Sequence, residues 1–354
     1  MRLLKNIGYI DLEWDGSTGT HLASIWKGGN FLCTCMSFLV RKRCKHVEEL
    51  IKNMTLYDVD KILTEKADIG ETFPSSLETI NKLFDSDAYN SYQINAIYGK
   101  PKVGKTLLAI QESAYLASKG YNVLFLDTEG SIIPMLIKWV PVFEKRFGER
   151  KGKIYVESKK SVETLLDYLG YKVALSYKMS DKKKQVGKLE FRVIQNTENK
   201  LAKDIEEKKI NFIILDSLTS PLRSFTKERQ NFPSRADCMA FILRELITAQ
   251  ENYNVGVLIT QHAVFDPSNP YDTLAEMAGG IVAHHYCKRL IYIDARSAKE
   301  LKDYRRLWLV RSENAAAWSN AGVVRIDDTG YHDVLDKDII SNAFTLNERS
   351  KLNL

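Results

Sequence analysis

The stretch IYGKPKVGKTLLAI, residues 97–110, sets the frame for the rest of the chain. An apolar segment runs into Gly99, four residues intervene, and Gly104-Lys105-Thr106 opens a run with helical periodicity. That is the spacing of a phosphate-binding loop. Glycine lets backbone N–H groups curl around phosphate oxygens, and the positive end of the following helix points at the same anion. Gly99, Lys100, Pro101, Lys102, Val103, Gly104, Lys105 and Thr106 are therefore the candidate nucleotide-binding residues. Lys105 is placed to reach the outer phosphates of ATP, and the Thr106 hydroxyl to ligate Mg²⁺.

Outward from this loop, apolar runs alternate with amphipathic ones. Strands are predicted at 93–98, 122–127, 153–157, 211–216, 254–260, 289–294, 306–311 and 322–327, and helices near 105–119, 161–169, 198–209 and 234–252. The alternation implies an α/β fold, a mostly parallel sheet with helices on both faces. The last three strands have no helices between them, so the sheet should finish in antiparallel pairs. In such sheets ligands bind at the carboxyl ends of the strands. Asp216, ending NFIILDS, suits the Mg²⁺ shell, and Glu129, in NVLFLDTEG, can orient and deprotonate an attacking water. Asp127 in the same segment reads as a capping group. Gln261, in VGVLITQHA, sits where it could sense the outer phosphate.

The remaining features bound the organisation. No apolar stretch approaches a bilayer span, and the N-terminus carries acids early without a small-residue cleavage site. The expectation is a cytoplasmic protein with no membrane association. A net charge of +6 is compatible with a polyanionic partner without demanding one. Residues 171–195 read as two alternating strands around the lysine-rich turn Lys182–Lys184, a hairpin inserted into the α/β pattern. Residues 1–60 read as a separate small module, 61–92 as a linker and lead-in helix, and 93–354 as the main domain. Cys33-Thr-Cys35, eight further residues and Cys44-Lys-His46 supply three thiolates and an imidazole, a soft set suited to structural Zn²⁺. Cys238 and Cys287 read as packed thiols.

These motifs, in order, resemble the RecA/RadA recombinase ATPases: the glycine loop, LDTEG, FIILDS, SRADCMAFILRELITAQENYNVGVLITQ, GGIVAHH, RLIYI and GYHDV. The likeness spans about residues 75–335 and is nearest to the archaeal RadA and eukaryotic branch. It implies a RecA-like P-loop ATPase core, Glu129 as the water-activating residue, Lys105 as catalytic, and Gln261 coupling nucleotide state to the next loop. It also implies two DNA-facing loops, 221–234 and 262–279. Arg223, Lys227, Arg229 and Arg235 lie at the first, and His284 and Arg289 at the far side of the second. The cysteine pattern resembles the SWIM zinc finger, a module that serves DNA or protein binding.

Three departures separate the chain from the strand-exchange recombinase. The zinc module stands where the family has a helix-hairpin-helix module. The hairpin at 171–195 is an insertion. Phe73-Pro-Ser-Ser76 has Ser where the family's polymerisation motif has Ala, so a homo-oligomer is allowed but filament formation is put in doubt. The implied function is that of a RadA paralog, nucleoid-associated, acting on single-stranded DNA with a RadA-type recombinase or other repair protein in recombination and repair. Its hydrolysis is expected to be slow and dependent on DNA or a partner. A KaiC-like signalling ATPase or autokinase, and an ATP-switched adaptor scaffold with negligible turnover, are the alternatives.

Overall fold

In a computed structural model, the apolar runs INAIYG, VLFLD and FIILD become fully buried strands, β7 (Ile94–Gly99), β8 (Val123–Asp127) and β12 (Phe212–Asp216) of the scheme below. The structure describes residues 70–84, 87–178, 188–195, 198–222, 232–264, 276–295, 301–312, 317–318, 320–345 and 348, with backbone alone at 173–178, 188–195, 232–234 and 281. It also describes the backbone of 2–6, 9–16, 19–26 and 30–33. The chain divides into two units, Met1–Ile69 and Gly70–Leu354.

The first unit holds an antiparallel four-stranded sheet in sequential order: β1 (Arg2–Asn6), β2 (Tyr9–Gly16), β3 (Gly19–Trp26) and β4 (Asn30–Cys33). Residues 2–6 and 9–16 pair with each other as an antiparallel hairpin. The side chains of Cys33, Cys35, Cys44 and His46 lie outside the described residues, so the expected zinc site does too. Among the described residues no cluster of three His, Cys, Asp or Glu is arranged to hold a metal.

The second unit opens with a short hairpin, β5 (Thr72–Phe73) and β6 (Tyr89–Asn90), around the helix Glu78–Leu83. Its main sheet then adds β9 (Ile154–Ser158), β13 (Gly256–Val264), β14 (Glu276–Met277), β15 (Cys287–Asp294), β16 (Tyr304–Arg311), β17 (Ala321–Asp327) and β18 (Gly330–Asp333). The order is β18-β17-β16-β15-β7-β13-β12-β8-β9, with β14 paired to β13. From β15 to β9 neighbours run parallel, and from β15 to β18 antiparallel. The expected antiparallel finish is present, extended by β18. The insertion forms a separate hairpin, β10 (Tyr171–Lys178) with β11 (Lys188–Gln195), and its lysine turn lies outside the described residues.

Period-two alternation sorts the strand residues onto two cores. Ile94, Ala96, Tyr98, Ile213 and Leu215 face one, under the helices Val162–Tyr168, Lys200–Lys208 and Phe232–Tyr253. Ile97, Val123, Phe125, Phe212 and Ile214 face the other, under Lys105–Ser118 and Ile132–Phe147. The helix Ile132–Phe147 is not among those predicted; it carries Pro141 in its interior, where a backbone donor is lost. Burial of Ile132, Val140 and Phe143 outweighs the hydrogen bond that Pro141 cannot make.

The segment read as a linker packs as core in its described part. Phe73 is fully buried, edge-on to Tyr121 and Phe212 at 5.1 Å from each, which contributes roughly 2–3 kcal/mol. Beside it Glu112 lies fully buried on the phosphate-loop helix. Its carboxyl accepts from the hydroxyls of Ser75 (2.9 Å) and Ser76 (2.8 Å) and from the Ser76 N–H (3.0 Å). Burial dominates these bonds and pushes the carboxyl from 4.5 up to about 7.

The unfolded chain ionises near 4.5, so this carboxyl favours the folded state most below that pH, and the benefit disappears as pH rises towards 7. Between pH 5 and 8 the loss is on the order of 2–3 kcal/mol. A Glu112→Gln variant, which cannot ionise, should gain about that much on wild type over the same interval, read by urea unfolding. Parallel pH profiles of the two proteins would refute the assignment.

Candidate functional site

Backbone register brings the chemistry to one rim of the sheet. Asp216 pairs with Asp127 on one side and Thr260 on the other, and Gly99 pairs with His262 and Ile293. The carboxyl ends of five neighbouring parallel strands therefore meet around the loop that follows β7.

That loop turns tightly into its helix. Lys102 (φ 65°) and Gly104 (φ 104°) both adopt left-handed backbone. Lys100, Pro101 and Lys102 are exposed, whereas Lys105 is buried. The Lys105 ammonium donates to the carbonyls of Gly99 (3.0 Å) and Lys100 (2.9 Å), which holds the charge inside the loop. Thr106 follows at the first turn of the helix, and its hydroxyl favours the ionised form of Asp216.

Asp216 is almost fully buried and also accepts from the Thr260 hydroxyl. Burial pushes its carboxyl upward and the nearby Glu129 charge adds to this, while the bond from Thr260, the Thr106 hydroxyl and the Lys105 ammonium oppose it. A desolvated carboxylate beside a hydroxyl is a hard-oxygen pair that fits Mg²⁺, which keeps the rest of its shell as water and phosphate. A cation there would offset the burial that now disfavours the ionised carboxylate.

Asp127 shapes the turn that presents Glu129. Its carboxylate accepts from the backbone N–H groups of Glu129 (3.1 Å), Gly130 (2.7 Å) and Ile132 (3.4 Å). Thr128 ties this turn to the end of β12, because its hydroxyl accepts the Ser217 N–H at 2.8 Å. The Asp216–Ser217 peptide is cis. Glu129 remains one-third exposed and can meet water. The Ser217 hydroxyl donates to its Oε1 at 3.1 Å, and His262 Nε2 lies 3.6 Å from the same oxygen.

Sequence reasoning singled out Gln261, but the strand turns that side chain away from Glu129. Gln261 is fully buried, and its carbonyl accepts the Thr219 hydroxyl (2.7 Å) and the His262 N–H (2.9 Å). Alternation puts His262 on the face of Thr260, which bonds Asp216. His262 is the missed residue, and the signal was that two-residue step. Both its ring nitrogens are buried with no hydrogen-bond partner among the described residues, as is the Gln261 amide nitrogen. Orphaned polar atoms beside Lys105, Asp216 and Glu129 fit a site that closes around a polar ligand.

The expected DNA-facing residues separate. Arg223, Lys227 and Arg229 lie outside the described residues. Arg235 lines a cavity of about 330 Å³ with Met239, Val264 and Met277. His284 lines a second, of about 400 Å³, with His285, Arg311 and Glu276, and its carbonyl accepts from Arg311 (2.7 Å). Burial lowers the proton affinity of His284. Arg289 does not join them. It is buried near the amino end of β15, stacked 4.1 Å over the Phe84 ring and donating to the Asp87 carbonyl (3.4 Å). Since β15 runs parallel to β7, that end is opposite the carboxyl rim that carries Lys105, Asp216 and Glu129, and Arg289 packs there away from it.

Comparison with known proteins agrees with this geometry. Residues 190–325 match the Rad51 family model, a span that includes Asp216, Gln261 and His262 and begins after the phosphate loop. The chain is 26% identical over 210 residues to the DNA repair and recombination protein RadB of Methanosphaera stadtmanae, 59% of this chain and 75% of the relative. It is 26% identical over 262 residues to the meiotic recombination protein DMC1 homolog of Glycine max, 72% of this chain and 67% of the relative. The corresponding homolog of Arabidopsis thaliana is 25% identical over 262 residues, again 72% of this chain and 67% of the relative. The chain is therefore similar, through the parallel sheet and the carboxyl rim that carries the site, to proteins of recombination and DNA repair.

Proposed function

We propose that the chain is an ATP-binding and ATP-hydrolysing paralog of the RadA-type recombinases that binds single-stranded DNA and assists or regulates homologous recombination and DNA repair. The observation that carries the reading is the convergence of Lys105, the Thr106–Asp216 pair and Glu129 on one rim of a parallel sheet. The similar proteins carry recombination in their names, which supports the assignment to that process. When bound, Mg²⁺ supplies charge neutralisation to the phosphates, and Thr106 and Asp216 would hold it. Lys105 binds the outer phosphates. Glu129, kept in place by Ser217 and the Asp127 turn, orients water and takes its proton. In the N-terminal unit Cys33, Cys35, Cys44 and His46 would hold a structural Zn²⁺, and that module is the proposed docking point for a RadA-type recombinase or another repair protein.

Phosphate release by the purified chain should rise several-fold on adding single-stranded DNA at low salt. That stimulation should fall steeply between 50 and 200 mM salt, because each phosphate contact releases counterions. The same preparation should carry close to one zinc per chain. Turnover indifferent to DNA removes the DNA-linked part of the reading. No turnover under any condition favours the scaffold alternative, labelled phosphate incorporated into the protein favours the autokinase, and a zinc-free chain rules out the finger.

A further inference from the structure

The phosphate loop is gripped from behind by the C-terminal strands. Its Val103 carbonyl accepts two hydrogen bonds, from the Tyr331 hydroxyl on β18 (2.9 Å) and from Arg305 Nε on β16 (3.0 Å). We propose that Tyr331 is a positioning residue of the phosphate loop, setting through the Val103 carbonyl the direction in which the Gly104 amide faces. The inference rests on the ATP reading above and adds to it the part of the fold that holds the cradle in shape.

The physical argument begins with the peptide plane. In a trans peptide the carbonyl of one residue and the N–H of the next point in opposite directions. Donors that hold the Val103 carbonyl on the strand side therefore turn the Gly104 N–H to the opposite side, the direction in which a phosphate cradle needs its amides. Gly104 is fitted to this arrangement twice. Its φ of 104° suits glycine, and a Cβ there would come within 2.1 Å of the Tyr331 hydroxyl oxygen.

Tyr331 is itself rigidly held. It is fully buried, and burial raises its phenol far above the ordinary range, so it stays a donor at any working pH. The Gln111 side chain, on the loop's own helix, closes a pair of bonds with its backbone, donating to the Tyr331 carbonyl (3.0 Å) and accepting its N–H (2.7 Å). Arg146 donates to the same carbonyl at 2.6 Å from the helix that follows Glu129. Neighbouring Gly330 lets the strand approach this closely, since a Cβ there would meet Phe143 at 2.5 Å and Gln111 at 2.6 Å. One residue thus joins the loop, the loop's helix and the helix after the water-activating glutamate.

Tyr331→Phe removes one oxygen and leaves the ring in place. Titration with Mg–ATP and with a non-hydrolysable analogue should show affinity falling by about 5- to 10-fold, with turnover at saturating ATP within about twofold of wild type. The control is Tyr168→Phe. That hydroxyl donates to Asp204 at 2.6 Å within the helical layer of the other core, so its loss should lower the thermal midpoint and leave nucleotide affinity unchanged. If Tyr331→Phe does not fold, Arg305→Gln carries the test, since it weakens the second donor to the same oxygen. A folded variant binding Mg–ATP as wild type does overturns this inference alone. A wild-type chain that binds no Mg–ATP overturns the nucleotide reading and this inference with it.

Discussion

The Glu129→Gln variant is expected to bind Mg–ATP as wild type does and to hydrolyse it about 100- to 10,000-fold more slowly. The substitution keeps the volume and the hydrogen bond from Ser217, and Asp127 still builds the turn beneath it. What disappears is the group that accepts the proton of the attacking water. Binding should survive because the affinity is expected to come from the phosphate loop and not from this carboxylate. His262, 3.6 Å from the same carboxylate, supports its placement, so His262→Ala should cost less than Glu129→Gln and spare binding as well. The measurements are single-turnover hydrolysis and a nucleotide titration on the same protein. Wild-type turnover by Glu129→Gln would require another base.

Lys105→Ala should act at the earlier step and lose binding itself. Each charge-assisted hydrogen bond to a phosphate contributes about 1.5–3 kcal/mol, so losing two weakens Mg–ATP binding by roughly 100-fold or more. The change also leaves the Gly99 and Lys100 carbonyls without the donor that now holds the loop closed. Circular dichroism and the thermal midpoint should establish that the variant is folded before its affinity is read. Binding within about threefold of wild type would mean that the ammonium serves the loop's own carbonyls and not a phosphate.

Much of this site was legible because spacing and periodicity are local. The loop from Gly99 to Thr106, Asp216 at the end of one strand and Glu129 after another follow from one pass along the chain. Asp127 as a capping group was equally readable. What was misread lay where two tendencies competed. The helix Ile132–Phe147 was not predicted; it forms despite Pro141 because its apolar face is buried. His262 was not read at all, although the strand's two-residue alternation places it, and not Gln261, beside Glu129. The resemblance placed Arg289 beside the second DNA-facing loop, although strand direction puts it at the opposite end of the sheet. Phe73 was read within a linker, and the edge-on packing of Tyr121 and Phe212 makes it core.

The sequence by itself determined the parallel α/β architecture, the antiparallel finish, the phosphate loop and its two carboxylates. Each of these is written in contiguous residues whose periodicity and turn chemistry need no distant partner. Only the tertiary structure decided that the C-terminal strands reach back to the loop. The contacts between Tyr331 and Val103 and between Tyr331 and Gln111 join residues more than 200 positions apart. Strand adjacency does not set those contacts, since β18 lies four places from β7 in the sheet; the packing of β18 against the helix Lys105–Ser118 does. No local pattern encodes a pairing of that kind. It arises when burial of the whole sheet leaves one carbonyl and one hydroxyl facing each other.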